Sequence, residues 1–201
     1  WFWYIRGYIG EGRQWLESVL RAAESGGEPI APAVRARLLQ GAGVLASDQA
    51  DYPRATAYFQ ACVALNRELG DAVGVQAAVH SLGLLAVEQG DYAGAQACFE
   101  ESLAVCRELG HSWGVANRLN SLGTLAQSQR QHDRALGYLE EALAVARPLG
   151  NDQLTAMILG NLADVALSQG DLARAQATYR SALAQYRALC DPRIPERAHQ
   201  G

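Results

Sequence analysis

DAVGVQAAVHSLGLLAVEQGDYAGAQACFEESLAVCRELG, residues 71–110, decides the fold. Val75, Val79, Leu82, Leu85 and Ala86 recur at spacings of three and four, the stripe of one helix face. Gly90 ends that pattern and Asp91 follows it. Glycine accepts the left-handed turn after a helix, and aspartate accepts the orphan amide hydrogens of the next one. A second stripe then runs through Tyr92, Ala95, Phe99, Ser102, Leu103 and Cys106. Leu109-Gly110 closes it. The stretch therefore reads as two helices of about 17 residues joined by tight turns, an αα-hairpin.

The same sentence is written along most of the chain at a spacing of 40 residues. Leu69-Gly70, Leu109-Gly110, Leu149-Gly150 and Leu189-Cys190 mark one corner. Gly43, Gly83, Gly123 and Ala163 share a second site, and Ala55, Ala95, Ala135 and Ala175 a third. Phe59, Phe99, Leu139 and Tyr179 share a fourth. A glycine inside a helix costs about 1 kcal/mol against alanine. Its return implies that a side chain there would collide with the facing helix. Self-similarity in this range means stacked units that bury their apolar faces on each other. The expected fold is an all-α, right-handed superhelical solenoid of antiparallel helix pairs. It reads as one array over 1–201: a truncated repeat at 1–28, full repeats at 29–70, 71–110, 111–150 and 151–190, and a tail at 191–201.

Composition narrows the function. The net charge of −4 among 201 residues is too mild to suggest nucleic acid or an anionic membrane. All 17 basic residues are arginine. No stretch approaches the roughly 18 apolar residues of a membrane span. The four cysteines form no Cys-x-x-Cys pair, and three fall on expected helices among apolar neighbours, as small buried hydrophobes of a reducing cytoplasm do. His80, His111, His132 and His199 are scattered without metal-ligand spacing. No catalytic, cofactor or metal site is expected.

The Leu-Gly…Ala-x-x-x-Phe arrangement resembles the tetratricopeptide repeat. Leu39, Val79, Leu119 and Leu159 replace its early Trp, and Ala46, Ala86, Ala126 and Ala166 its Tyr. The period is six residues longer than the standard 34, with the extra residues between Phe99 and Leu119. At the start of the chain, Trp3-x-x-Arg6-Gly7-x-x-x-Glu11-Gly12-Arg13-x-Trp15-Leu16-Glu17 is similar to the opening of the repeat region in large bacterial signalling ATPases and LuxR- or AfsR-type transcriptional regulators. Aligning Leu16 with Phe99 places Gly12 at the recurrent alanine site. The nucleotide-binding module of those proteins has no counterpart here: no Gly-x-x-x-x-Gly-Lys loop occurs, and no Lys.

Such arrays present surfaces. The resemblance implies a protein-interaction scaffold whose first helices line a concave groove. The positions between the core sites that face it are Arg37, Gln40, Val44 and Ser47, then Ala77, His80, Leu84 and Val87, then Asn117, Asn120, Thr124 and Gln127, then Met157, Gly160, Asp164 and Leu167. They vary while the core sites do not, which suits a surface tuned to a partner and equally suits free solvent exposure. Asn117 and Asn120 stand out because amides can pair with both donors and acceptors of an extended peptide. Arg118 replaces Leu38, Ala78 and Ile158, and such a cation must snorkel, find a carboxylate or meet a ligand. Arg67, Arg107, Arg147 and Arg187 form a column near second-helix ends, either complementing the helix dipole or forming an anion ladder. The turn Arg130-Gln131-His132-Asp133 lacks the Gly-Asp pair: either it is looser or Asp133 takes over the cap. The expected partner is a protein or peptide in the groove. A small effector read by the repeats, or a structural arm that spaces domains or self-associates through its ends, with contacts at the aromatic Trp1–Tyr4, are the competing readings.

Overall fold

In a computed structural model, residues 9–25 and 29–190 are described. They form nine α-helices and no strand: α1 (Ile9–Glu24), α2 (Pro32–Asp48), α3 (Tyr52–Glu68), α4 (Ala72–Glu88), α5 (Tyr92–Glu108), α6 (Ser112–Ser128), α7 (His132–Ala146), α8 (Asp152–Ser168) and α9 (Leu172–Cys190). A short 3-10 turn, Arg147–Leu149, forms where Pro148 interrupts the end of α7. The helix pairs are those expected from the 40-residue period. The chain divides into two compact units between Val105 and Cys106, within α5. The readings that involve Trp1–Tyr4, Gly7 and the tail past Asp191 lie outside the described residues.

The turn chemistry follows the sequence. Gly70, Gly90, Gly110, Gly150 and Gly170 all have positive φ. Asp71 accepts from the Gly74 amide and Asp91 from the Gly94 amide, each at 2.9 Å, and Asp171 accepts from that of Arg174 at 3.0 Å. Pro32 occupies the first turn of α2, where a missing amide hydrogen does no harm. At the odd turn, Asp133 does not take over the cap. Gln131 is the N-cap of α7 without a side-chain cap bond, Asp133 sits inside the first turn, and Arg130 takes the left-handed conformation at φ 58°.

In the first unit, the pairs α1–α2, α2–α3 and α3–α4 pack successively. Leu16, Leu20, Leu39, Ala42, Leu45, Cys62, Val63 and Val79 form one buried cluster; Ala46, Ala55, Phe59 and Leu85 form another. The glycine site explains itself here. A Cβ on Gly43 would lie 2.5 Å from the Phe59 ring, and one on Gly83 2.5 Å from the Phe99 ring. Both rings are buried because glycine lets them lie against the first-helix backbone. Tyr92 differs from its expected inner placement and is exposed.

The start of the first unit is fastened by a polar network. Arg13, buried, donates from Nε to Glu17 (2.8 Å), from one terminal nitrogen to Gln49 (2.8 Å) and from the other to Asp51 (2.5 Å). Burial alone would raise the Glu17 carboxyl, but hydrogen bonds from Arg13 and Tyr58 and the charges of Arg13 and Arg54 hold it below the ordinary range. The Arg13 hydrogen bond does the same for Asp51. Arg13 thereby ties α1 to the α2–α3 turn that Asp51 caps.

In the second unit, α6 packs on α7, α7 on α8, and α8 on both α6 and α9. Leu119, Leu122, Leu139, Ile158 and Val165 are its largest fully buried side chains. A Cβ on Gly123 would lie 2.6 Å from Leu139 Cγ. Ala163 holds that site in the last pair. Its partner Tyr179 is not inserted: the residue is 38% exposed and its hydroxyl donates to Asp164.

Candidate functional site

The first helix of each pair carries the candidate side chains. Its buried stripe orients it; the residues between stripe positions range from exposed to, for Arg118 and Asn120, buried. In the first unit, Arg37 is exposed on α2, while Gln40 and His80 are half-buried. Gln40 donates to Ser81 Oγ at 2.8 Å, a bond from one first helix to the next. His80 lies with its ring centroid 5.3 Å from that of Phe99, tilted by 41°.

The second unit gathers the rest: Asn117, Arg118, Asn120, Thr124 and Gln127 on α6 and Asp164 on α8. Asn120 is buried, and its Oδ1 accepts from Asn161 Nδ2 at 2.7 Å. This bond joins positions 41 residues apart, as Gln40–Ser81 does. Both side chains serve as rungs between neighbouring first helices, a role that sequence patterning does not separate from ligand contact. Arg118 is buried and donates to Asn117 Oδ1 at 3.0 Å. Its burial pulls the guanidinium below its ordinary range. Asp164, exposed on α8, accepts from Tyr179.

Thr124 and Gln127 border a polar depression of about 530 Å³, completed by Ser128, Arg130, His132 and Ser168. The last helical turns of α6 and α8 and the α6–α7 turn bring these groups together. Thr124 Oγ1 donates to the Ser121 carbonyl (2.9 Å), Ser128 Oγ to that of Leu125 (2.7 Å) and Ser168 Oγ to that of Val165 (2.7 Å). All three hydroxyls spend their proton on their own helix and turn lone pairs outward. Ser168 Oγ also lies 3.2 Å from His132 Nδ1. Arg130 offers only N–H groups, and the Gln127 amide offers both kinds. Such a lining serves a ligand that carries donors and acceptors side by side. Sequence reasoning missed Ser128, Arg130, His132 and Ser168; the clue was the departure of the 130–133 turn from the Gly-Asp rule.

Two members of the arginine column meet carboxylates on the next second helix: Arg67 pairs with Glu101 at 2.9 Å and Arg107 with Glu141 at 2.7 Å. These exposed pairs are worth about 0–1 kcal/mol each. Cys62, Cys98 and Cys106 are free thiols that burial pushes up, which keeps them protonated. Cys62 lies 3.3 Å from the Ala36 carbonyl, and Ser102 donates to the equivalent Gln76 carbonyl at 2.8 Å. Among the described residues, no His/Cys/Asp/Glu group could hold a metal ion, and no helix is long and apolar enough to cross a membrane.

Comparison with known proteins agrees with this architecture. Among solved structures, the chain is similar to BtubC (BKLC) from P. vanneervenii: TM-score 0.76, 24% identity, 92% of this chain and 75% of that one. It is similar to a Rap protein complexed with Competence and Sporulation Factor: TM-score 0.79, 12% identity, 94% of this chain and 52% of that one. It is also similar to NprR in complex with its cognate peptide NprX: TM-score 0.68, 16% identity, 92% and 52%. The chain thus spans about half the length of the Rap and NprR chains. These likenesses concern the fold. No curated protein sequence matches the chain. The family model for the tetratricopeptide repeat matches residues 74–147 and 116–188, more than half of the sequence, and the chain belongs to that family.

Proposed function

We propose that the chain is a protein-interaction module that binds a peptide, or an extended segment of a partner protein, along the first helices α6 and α8. The observation that carries this reading is the polar depression of Thr124, Gln127, Ser128, Arg130, His132 and Ser168. An extended main chain presents an N–H and a C=O at every residue. Hydroxyl lone pairs take the former; Arg130 and the Gln127 amide take the latter. Asn117 lies further along α6 and extends the polar row. The fold-level likeness to NprR, solved with its cognate peptide, supports the same reading.

We also propose that the module works in the cytoplasm, as the repeat domain of a larger bacterial signalling or transcription regulator. The Trp3…Glu17 motif supports this, and so do the neutral free thiols. Selection from a phage-displayed random peptide library on the immobilised protein tests the binding reading. The selected peptides should bind the Asn117→Ala/Gln127→Ala variant at least tenfold more weakly, the loss of about 1.4 kcal/mol. Equal binding to both proteins, with both folded by circular dichroism, refutes the assignment.

A further inference from the structure

Taking α6 as the peptide-binding helix proposed above, we infer that Arg118 is a positioning residue of that site: it holds Asn117 by the amide oxygen and leaves Nδ2 as a fixed donor for a main-chain carbonyl of the bound segment. Two departures from the repeat coincide here. The position of Arg118 holds Leu38, Ala78 and Ile158 in the other units, and that of Asn117 holds Arg37, Ala77 and Met157. Arginine and asparagine arrive together, side by side, in one unit. Neighbouring residues on a helix do not face each other. An apolar side chain at the arginine position stays in the interior, as Ala78 and Ile158 do. Arg118 is buried there too, but its length lets the guanidinium turn back along the helix, and Nη1 donates to Asn117 Oδ1 at 3.0 Å.

This contact sets the polarity of a half-buried amide. A guanidinium only donates, so the oxygen end must face it; a flipped amide would set N–H against N–H. A peptide N–H arriving at the same oxygen would meet the guanidinium charge, whereas a peptide carbonyl can accept from Nδ2. Asn120 shows the same polarity, since its Oδ1 accepts from Asn161 Nδ2 at 2.7 Å. The fold thus engages the oxygen of both asparagines on α6. The guanidinium is kept at a cost. Burial pulls it below its ordinary range, and apolar residues of similar volume often replace a buried charge without loss of stability. The Cys106 thiol, whose ionisation Arg118 would favour, is held protonated by its own burial and supplies no charge to offset that cost. A fixed Asn117 is a reason for the arginine that packing does not supply.

The test uses the full 201-residue protein and a fluorescent copy of the tightest peptide from the library selection. Arg118→Met resembles the apolar residues of the sister units, so its urea midpoint should be unchanged or higher. It should nonetheless weaken the peptide at least about threefold, the scale of one hydrogen bond. Arg118→Lys can still donate to Oδ1 and should bind more tightly than Arg118→Met. Asn117→Asp keeps the contact with Arg118 but replaces Nδ2 by an acceptor, and should weaken binding at least as much as Asn117→Ala. In the Asn117→Ala background, Arg118→Met should have no further effect. Nitrogen-15 relaxation should find the Asn117 side-chain amide ordered in the parent protein and mobile in Arg118→Met. An Asn117→Ala variant that binds like the parent refutes the peptide reading of α6 itself. If Asn117→Ala binds weakly, the peptide reading stands, and any of three results then overturns the positioning role: Arg118→Met acting equally in both backgrounds, an Asn117 amide that stays ordered in Arg118→Met, or Asn117→Asp retaining the parent affinity.

Discussion

A β-carbon built on Gly83 falls 2.5 Å from Cε1 of Phe99 and 3.1 Å from Cβ of Cys98. Phe99 is buried, so its ring has no free space to enter. Alanine at 83 would gain about 1 kcal/mol of helix propensity but must displace the ring. Leucine adds three more carbons to the same conflict. Gly83→Leu should destabilise by about 1–3 kcal/mol through overpacking, read as a fall in the urea midpoint at constant slope. Phe99→Ala/Gly83→Leu should recover part of that loss. An unchanged midpoint for Gly83→Leu would mean that the close approach does not govern packing.

A second size rule operates where one pair meets the next. Gly114 faces Cys106: a Cβ there would lie 2.6 Å from Sγ and 2.8 Å from His111 Nδ1. Gly74 faces the equivalent Asn66, at 2.5 Å. Where the second helix carries Ala146 instead, the following position is Leu154, and both are buried. Large and small residues thus alternate across the junction. Gly114→Ala alone should destabilise, whereas Gly114→Ala in a Cys106→Ala background should be closer to neutral. A double-mutant cycle should give a favourable coupling of about 1 kcal/mol; strict additivity would contradict the rule.

Arg13 makes the first unit acid-sensitive. Glu17 and Asp51 both titrate below their ordinary range when folded. A carboxyl lowered in this way contributes its full stability above its unfolded pKa of about 4 and loses it as pH falls through the folded value. Arg13→Met should therefore lower the melting temperature clearly at pH 7. The gap to the parent protein should narrow as pH falls below about 4. Thermal melts at pH 7, 5, 4 and 3 decide this, and a gap independent of pH would show that Arg13 acts by packing alone.

Periodicity made the helix pairs, their caps and the glycine–aromatic contact readable, because each depends on residues at a fixed offset within one unit. The candidate groove was less readable. Asn120 and Gln40 looked like ligand contacts because a polar side chain between core stripes has the same pattern whether it meets a partner or the next repeat. Their bonds to Asn161 and Ser81 exist only once two first helices lie side by side. The column Arg67 and Arg107 did carry its answer in the sequence, since Glu101 and Glu141 follow each by 34 residues. Reading that offset needs the neighbouring unit as well as the one in hand. The depression at Ser128, Arg130, His132 and Ser168 joins three elements, so no single stripe announces it.

Arg130 separates local stability from binding. It adopts φ 58°, the conformation that Gly90 and Gly170 supply at the equivalent turns. Ala50 does the same at φ 56°, so the turn accepts a side chain at some cost. A left-handed non-glycine residue costs about 1–2 kcal/mol, and the entropy of an unfolded glycine offsets part of this. Ala50→Gly and Arg130→Gly should each stabilise the protein by a net of about 0.5–1 kcal/mol in urea denaturation. The two should part in binding: Ala50→Gly should leave affinity for selected peptides unchanged, while Arg130→Gly removes a donor from the depression and should weaken it. If Arg130→Gly is both more stable and equally able to bind, the guanidinium has no part in recognition, and the strain at this turn is merely tolerated as it is at Ala50.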